Sequence, residues 1–129
     1  MVSGKILICD DEAHIRRLIE QSLEELEDEG VAILVTSNGE EAMARIEEVH
    51  PDLIILDVMM PKLNGFDVCQ RVKSDARLRS AFVMLLTAKG QEYDRQHGEK
   101  VGADRYMTKP FDPDELLKVA REVMAARGS

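Results

Sequence analysis

Leu53-Ile54-Ile55-Leu56-Asp57 decides how this chain folds. Four consecutive apolar residues, two of them β-branched, read as a strand apolar on both faces, as strands are in a parallel sheet covered by helices. The run ends in a carboxylate. In open α/β sheets the carboxyl ends of the strands face the crevice where ligands bind, so Asp57 stands where chemistry is done. The stretch after it, Val58-Met59-Met60-Pro61-Lys62-Leu63-Asn64-Gly65, is a loop punctuated by Pro and Gly. Read alone, Asp57 also fits a turn cap. The other acids of the chain decide between the two readings.

On the N-terminal side, Lys5 to Cys9 (KILIC) is a second apolar run, and it ends in Asp10-Asp11-Glu12. Ile15, Leu18, Ile19, Ser22, Leu23 and Leu26 then recur at three- and four-residue steps, predicting a first helix that Gly30 stops. Val31 to Val35 reads as the next strand. Asn38 with Glu41 three residues later is a capping-box signature for a helix turning Ala42, Ile46 and Val49 inward, ended by Pro51.

On the C-terminal side, a helix from about Phe66 to Asp75 buries Phe66, Cys69 and Val72. Ala81 to Leu86 makes a fourth strand, closing in Thr87-Ala88-Lys89-Gly90. The helix predicted over Gln91 to Val101 is the least stable element: an interior Gly98 costs about 1 kcal/mol relative to Ala, and Tyr93 and Val101 are nearly its only apolar residues. Gly102 is placed to cap it, and Asp104 to Thr108 supplies a short fifth strand carrying Tyr106. After Lys109-Pro110-Phe111, Asp112 as N-cap, Pro113 at the first helical position and Glu115 start a last helix. It buries Leu116, Leu117, Ala120, Val123 and Met124 and ends near residue 126, leaving Arg127-Gly128-Ser129 frayed.

Five strands, each followed by a helix, require right-handed crossovers and a parallel sheet covered on both faces. The expectation is one α/β domain over residues 1–129 with an ordered core of about 4–126. Its fold is doubly wound (βα)5, flavodoxin-like, with strand order 2-1-3-4-5. Composition agrees. At 129 residues, 44% hydrophobic and 33% charged, the chain builds a core without metal or disulfide. Cys9 and Cys69 read as reduced core thiols. No apolar run approaches the ~20 residues that span a bilayer, and Met1 to Lys5 shows no leader, so the expected location is cytoplasmic. A net charge of −8 argues against nucleic-acid phosphates and points to proteins or a cation as partners.

In the 2-1-3-4-5 order the first and third strands are neighbours, so Asp10, Asp11 and Asp57 converge. Helix capping accounts for one of Asp10 and Asp11 but not both. Three crowded carboxylates repel one another unless a cation is present, and hard oxygen ligands suit Mg²⁺ or Mn²⁺ better than zinc. Lys109 and Thr87 fall at the carboxyl ends of further strands and offer an ammonium and a hydroxyl. Together these groups meet the needs of phosphoryl transfer: a nucleophilic carboxylate, a divalent cation and donors for the phosphoryl oxygens. The product is an acyl phosphate on Asp57.

Four stretches, ILICDDE at 6–12, DLIILDVMMPKLNGF at 52–66, MLLTAK at 84–89 and GADRYMTKPF at 102–111, give the chain its resemblance to the CheY-like receiver domain of two-component response regulators. The resemblance implies that Asp57 accepts a phosphoryl group from a sensor histidine kinase, a phosphotransfer protein or a small donor such as acetyl phosphate. It implies Mg²⁺ held directly by Asp11 and Asp57, through water by Asp10, and by the backbone carbonyl of Met59. Thr87 and Tyr106 match the family's switch pair. Output is then read by an effector protein or a fused output domain from the surface of the 91–101 helix, the fifth strand and the last helix, by a monomer or a phosphorylation-dependent dimer. Arg105 stands where the DNA-binding members carry a second acid, which sets their dimer ion pairs in question. Met59 and Lys89 occupy positions that tune phosphoryl lifetime, and kinase choice falls on exposed residues near His14, Arg17 and Gln21.

Such a protein catalyses only its own phosphorylation and dephosphorylation. An aspartyl-phosphate phosphatase of the haloacid dehalogenase kind needs a second Asp two residues after the nucleophile, where this chain has Met59. A phosphorylation-independent adaptor of the same fold usually lacks an acid or the lysine, and none is missing here. The sequence is equally that of a stand-alone receiver or of a piece of a longer regulator.

Overall fold

Each apolar run becomes a strand of one sheet. The computed structural model describes residues 4–88 and 92–128, without the side chains of 92–95, 98 and 128. Strands β1 (Lys5–Cys9), β2 (Ala32–Thr36), β3 (Leu53–Asp57), β4 (Phe82–Ala88) and β5 (Arg105–Lys109) are all parallel, in the order β2-β1-β3-β4-β5. This is the flavodoxin-like order expected from the sequence. All five residues of the central strand β3 are buried. Side chains alternate across it: Leu53 and Ile55 pack into one core, Ile54 and Leu56 into the other.

The helices divide between the two faces accordingly. α1 (Ala13–Ser22), α2 (Glu24–Asp28) and α6 (Pro113–Gly128) cover one core through Ile19, Leu23, Leu26, Leu116, Ala120 and Met124. α3 (Gly39–Val49), α4 (Gly65–Ser74) and α5 (Glu92–Val101) lie over the other, with Ala42, Ile46, Cys69, Val72 and Val101 packed there. The helices that follow the adjacent strands β1 and β3 therefore leave to opposite faces. That divergence opens a crevice at the carboxyl ends of the two strands.

Several boundaries differ from the sequence reading, for physical reasons. The single helix expected after Asp10-Asp11-Glu12 is broken at Leu23, whose φ of −103° and ψ of 7° leave the helical range. There the Leu23 N–H is shared between the Ile19 and Glu20 carbonyls, and Ser22 Oγ donates back to Leu18 O at 2.7 Å, a bond that bends helices. Leu18, expected on the buried stripe, lies at its edge and is 38% exposed; Val49 is likewise only half-buried. β4 runs on to Ala88 and β5 to Lys109 because Thr87 pairs with Thr108 and Ala88 with Lys109, so Thr87 and Lys109 belong to strands rather than turns. The last helix continues through Arg127, where fraying was expected. Arg121 on it grips Glu29 (2.7 Å) and Glu25 (3.1 Å), tying α6 to α2. The side chains of Tyr93 and Gly98, on which the weakness of the fifth helix was argued, lie outside the described residues, as do Lys89 and residues 1–3.

Candidate functional site

Asp57 closes β3 level with Leu86, and the chain beyond it is folded back by backbone contacts. Val58 N–H reaches Leu86 O at 3.1 Å, and Gly65 N–H reaches Val58 O at 3.2 Å. Gly65 packs so tightly that a Cβ there would lie 2.4 Å from the Asp57 carbonyl oxygen. Only glycine permits that approach. α4 starts at this point with a full capping box: Asp67 N–H donates to Asn64 Oδ1 at 3.0 Å, and Asn64 N–H to Asp67 Oδ2 at 3.2 Å. The 58–64 loop is thus pinned at both ends, and the acid it follows is fixed from behind.

Asp10, from the end of β1, is fully buried, and Asp57 is 2% exposed. Asp11 and Glu12 stand in solvent beside them, and one carboxylate oxygen from each of the four lies within 4.8 Å of the others. Lys109 Nζ, from the end of β5, enters this group at 3.1 Å from Asp57 Oδ1, 3.3 Å from Asp10 Oδ2 and 3.8 Å from Glu12 Oε1. The Met59 N–H donates to Asp57 Oδ1 at 3.3 Å, while the Met59 side chain is 70% exposed. Asp10 Oδ1 accepts the Glu12 N–H at 2.9 Å, a turn just before the helix; Glu12 is the N-cap and no side chain caps α1, so neither Asp10 nor Asp11 makes the helix cap considered for it. Arg16 Nη1 donates to the Asp10 carbonyl at 2.7 Å and fixes the β1 end from the helix side.

The electrostatics follow from burial. Asp57 is pushed from 3.8 up to about 6, first because burial penalises its charge and then because Asp10 repels it; Lys109 and the Met59 N–H offset part of this. Asp10 is also raised by burial, against the pull of the Glu12 N–H and Lys109. Burial alone would lower Lys109, but its bonds and attraction to Asp57 and Asp10 outweigh that and raise it. The ammonium is the internal counter-ion of an over-acidic site. Four carboxylates and no soft ligand among them are a donor set that fits a hard divalent cation, which would relieve the same repulsion.

Thr87, buried to 5% exposure, stands one residue past the level of Asp57 on the neighbouring strand, at the same sheet edge. Tyr106 is not drawn into the acid group. It pairs with Leu85 on β5, half-buried, and packs on the core beneath α5 with Val101 and Ala103. Beside the acids a cleft of about 590 Å³ is bounded by Asp11, Met59, Phe66 and His97, the last two rings 4.2 Å apart. Cys9 and Cys69 are free, buried thiols, each pushed by burial to about 11 and so unreactive near neutrality.

Sequence reasoning missed Glu12 as a member of the group, Arg16 as a brace for Asp10, and the close approach of Gly65. The Asn64–Asp67 box was within reach, since its spacing repeats the Asn38–Glu41 signature.

Comparison with known proteins points one way. The family model described as response regulator receiver domain matches residues 6–121. The chain is 44% identical over 115 residues to the alkaline phosphatase synthesis transcriptional regulatory protein PhoP of Bacillus subtilis, covering 89% of this chain and 46% of PhoP. It is 36% identical over 113 residues to the protein PilG of Pseudomonas aeruginosa, covering 88% of this chain and 82% of PilG. Among solved structures, the chemotaxis response regulator CheY4 of Vibrio cholerae superposes with a TM-score of 0.82 at 31% identity, over 94% of this chain and 98% of that one. The chain spans about half the length of the transcriptional regulators it matches. No described helix is long and apolar enough to cross a membrane.

Proposed function

Because the chain belongs to the response regulator receiver family of two-component systems, we propose that it is a phosphorylation-controlled switch whose acceptor is Asp57. One observation carries this reading: a buried carboxylate at the end of the central strand, 3.1 Å from a lysine ammonium and grouped with three further acids. With a pKa of about 6, Asp57 is ionised at pH 7 yet more basic than a free aspartate, which favours it as a nucleophile. Its oxygen attacks the phosphorus of a phosphohistidine or of acetyl phosphate, and the donor leaves with the bonding electron pair.

Asp11 and Asp57 directly, Asp10 through water, and the Met59 carbonyl would hold Mg²⁺ or Mn²⁺. The bound cation would supply neutralising charge to the phosphoryl oxygens. Lys109 gives up its bond to Asp57 and turns to a phosphoryl oxygen, and the Thr87 hydroxyl approaches from β4. Tyr106 then rotates inward along β5, and the surface of α5, β5 and α6 changes shape for an effector protein or an output domain. On this reading the chain turns over only its own phosphoryl group; an aspartyl-phosphate phosphatase of the haloacid dehalogenase kind needs an acid two residues past the nucleophile, where Met59 offers no proton. The partner on the input side is a histidine kinase or a phosphotransfer protein.

The test is intact mass after incubation with acetyl phosphate and Mg²⁺, with and without chelator, beside Asp57→Asn. A chelator-sensitive phosphoryl adduct absent from the variant is expected. If none forms and fluoroberyllate also fails to bind, the reading gives way to a phosphorylation-independent adaptor.

A further inference from the structure

Lys109 faces three acids. Asp57 Oδ1 and Asp10 Oδ2 lie 3.1 and 3.3 Å from its Nζ on the buried side, and Glu12 Oε1 lies 3.8 Å away on the solvent side. The two buried oxygens are near hydrogen-bond distance, whereas Glu12 makes an ion-pair contact that leaves the ammonium a donor on the solvent side. The inner two are sealed in the sheet, whereas the Glu12 side chain is 50% exposed at the rim.

Helix α1 does not account for where Glu12 points. Glu12 occupies the N-cap position, and its side chain makes no bond to the first turn. Its backbone N–H is held instead by Asp10 Oδ1 at 2.9 Å, which leaves the carboxylate turned out over the sheet edge toward Lys109. Its second oxygen lies 3.5 Å from His14 Nε2 at the surface. Glu12 thus makes ion-pair contacts with Lys109 and His14 rather than with the helix.

We infer that Glu12 is a positioning residue that holds the Lys109 ammonium at the mouth of the site, aimed at the incoming phosphoryl group. This rests on the proposed acceptor role of Asp57. As the Asp57 oxygen bonds to phosphorus and the donor's P–O bond breaks, acetate departs with the electron pair and Lys109 contributes a hydrogen bond without losing its proton. At that moment the ammonium must release Asp57 Oδ1, and a bound cation would share the charge of Asp10. Glu12 is the anchor on the solvent side, opposite the pull of Asp10. Without it the ammonium either falls back onto Asp10 or swings into solvent.

The experiment is phosphorylation of the full chain by acetyl phosphate across Mg²⁺ and donor concentrations, for wild type, Glu12→Ala, Glu12→Asp, Lys109→Ala and the Glu12→Ala/Lys109→Ala pair. Glu12→Ala should lower the maximal rate on the order of tenfold, with half-saturation by Mg²⁺ changed less than about twofold and the rate partly restored in Glu12→Asp. In the Lys109→Ala background the same substitution should change nothing further. An equal loss in that background overturns the inference, as does a loss cured by more Mg²⁺, which would make Glu12 a metal ligand. The Lys109 ammonium signal in ¹⁵N NMR supplies a readout independent of phosphoryl transfer: Glu12→Ala should shift it and speed its hydrogen exchange. An unchanged signal overturns the inference whether or not any chain is phosphorylated. A shifted signal with no adduct on the wild type sinks the acceptor role of Asp57 and leaves the Glu12–Lys109 contact standing.

Discussion

Replacing Asp57 by Asn should make the metal-free protein more stable. The ionised carboxylate is held where burial and Asp10 raise its pKa from 3.8 to about 6. At about 1.4 kcal/mol per pH unit, that charge costs the folded state about 3 kcal/mol relative to the unfolded chain. The attraction of Lys109 is already counted in the value, so the cost is net. The sign follows from proton binding: the folded state holds the Asp57 proton more tightly, so the group's contribution to stability falls as pH rises from about 4 to about 6 and stays lost above that. Asparagine has nearly the same shape, keeps an acceptor for the Met59 N–H and carries no charge. Urea unfolding followed by circular dichroism in chelator at pH 7.5 should therefore show Asp57→Asn more stable by about 2–3 kcal/mol, or roughly 10 °C in Tm for a chain of this size. At pH 4.5 the wild-type carboxyl is largely protonated in the fold and the gain should shrink below about 1 kcal/mol. A variant no more stable than wild type at pH 7.5, or a gain undiminished at pH 4.5, would falsify the claim that the fold holds Asp57 at an electrostatic cost.

Lys109→Ala should act in the opposite direction. It strips the buried acids of their counter-ion, so stability at pH 7.5 should drop by about 1–3 kcal/mol and much of the loss should return by pH 4.5; a loss independent of pH would point to packing instead. Gly65→Ala puts a methyl 2.4 Å from the Asp57 carbonyl oxygen. It should cost about 2 kcal/mol or more in urea and weaken Mg²⁺ binding measured by titration, whereas unimpaired binding would show that the loop yields without moving Asp57. Met59→Asn places a polar group on the exposed lip beside the acceptor, and the phosphoryl adduct should decay faster when timed by mass; an equal or longer lifetime removes Met59 as a barrier to water.

The strands and the acids were legible for a simple reason. Residues 53–56 and 6–9 are buried on both faces, so they are apolar without interruption, and an acid that ends such a run stands out from its neighbours. Strand order followed from the count of strand–helix units. What escaped was everything that depends on how one element meets another. The break at Leu23 coincides with a hydroxyl bonding back to the preceding turn, which the helical periodicity of 15–26 does not register. β4 and β5 reach past their apolar stretches because each supplies the other's ladder at Thr87–Thr108 and Ala88–Lys109. Glu12 looked like one more exposed acid beside Asp10 and Asp11, since its role depends on a lysine 97 positions later in the chain. Gly65 is an ordinary loop glycine until the backbone of β3 is seen pressed against it.

That lysine sits on the edge strand, the last of the five to be synthesised. A ribosome releases β1, β3 and β4 first, and with them Asp10, Asp11, Glu12 and Asp57, all acids and none yet neutralised. In the folded sheet Lys109 offsets the repulsion between the acids at the ends of the first and third strands. Because the parts of the site come from strands far apart in the chain, the acids and their counter-ion meet only when the fifth strand pairs beside the fourth.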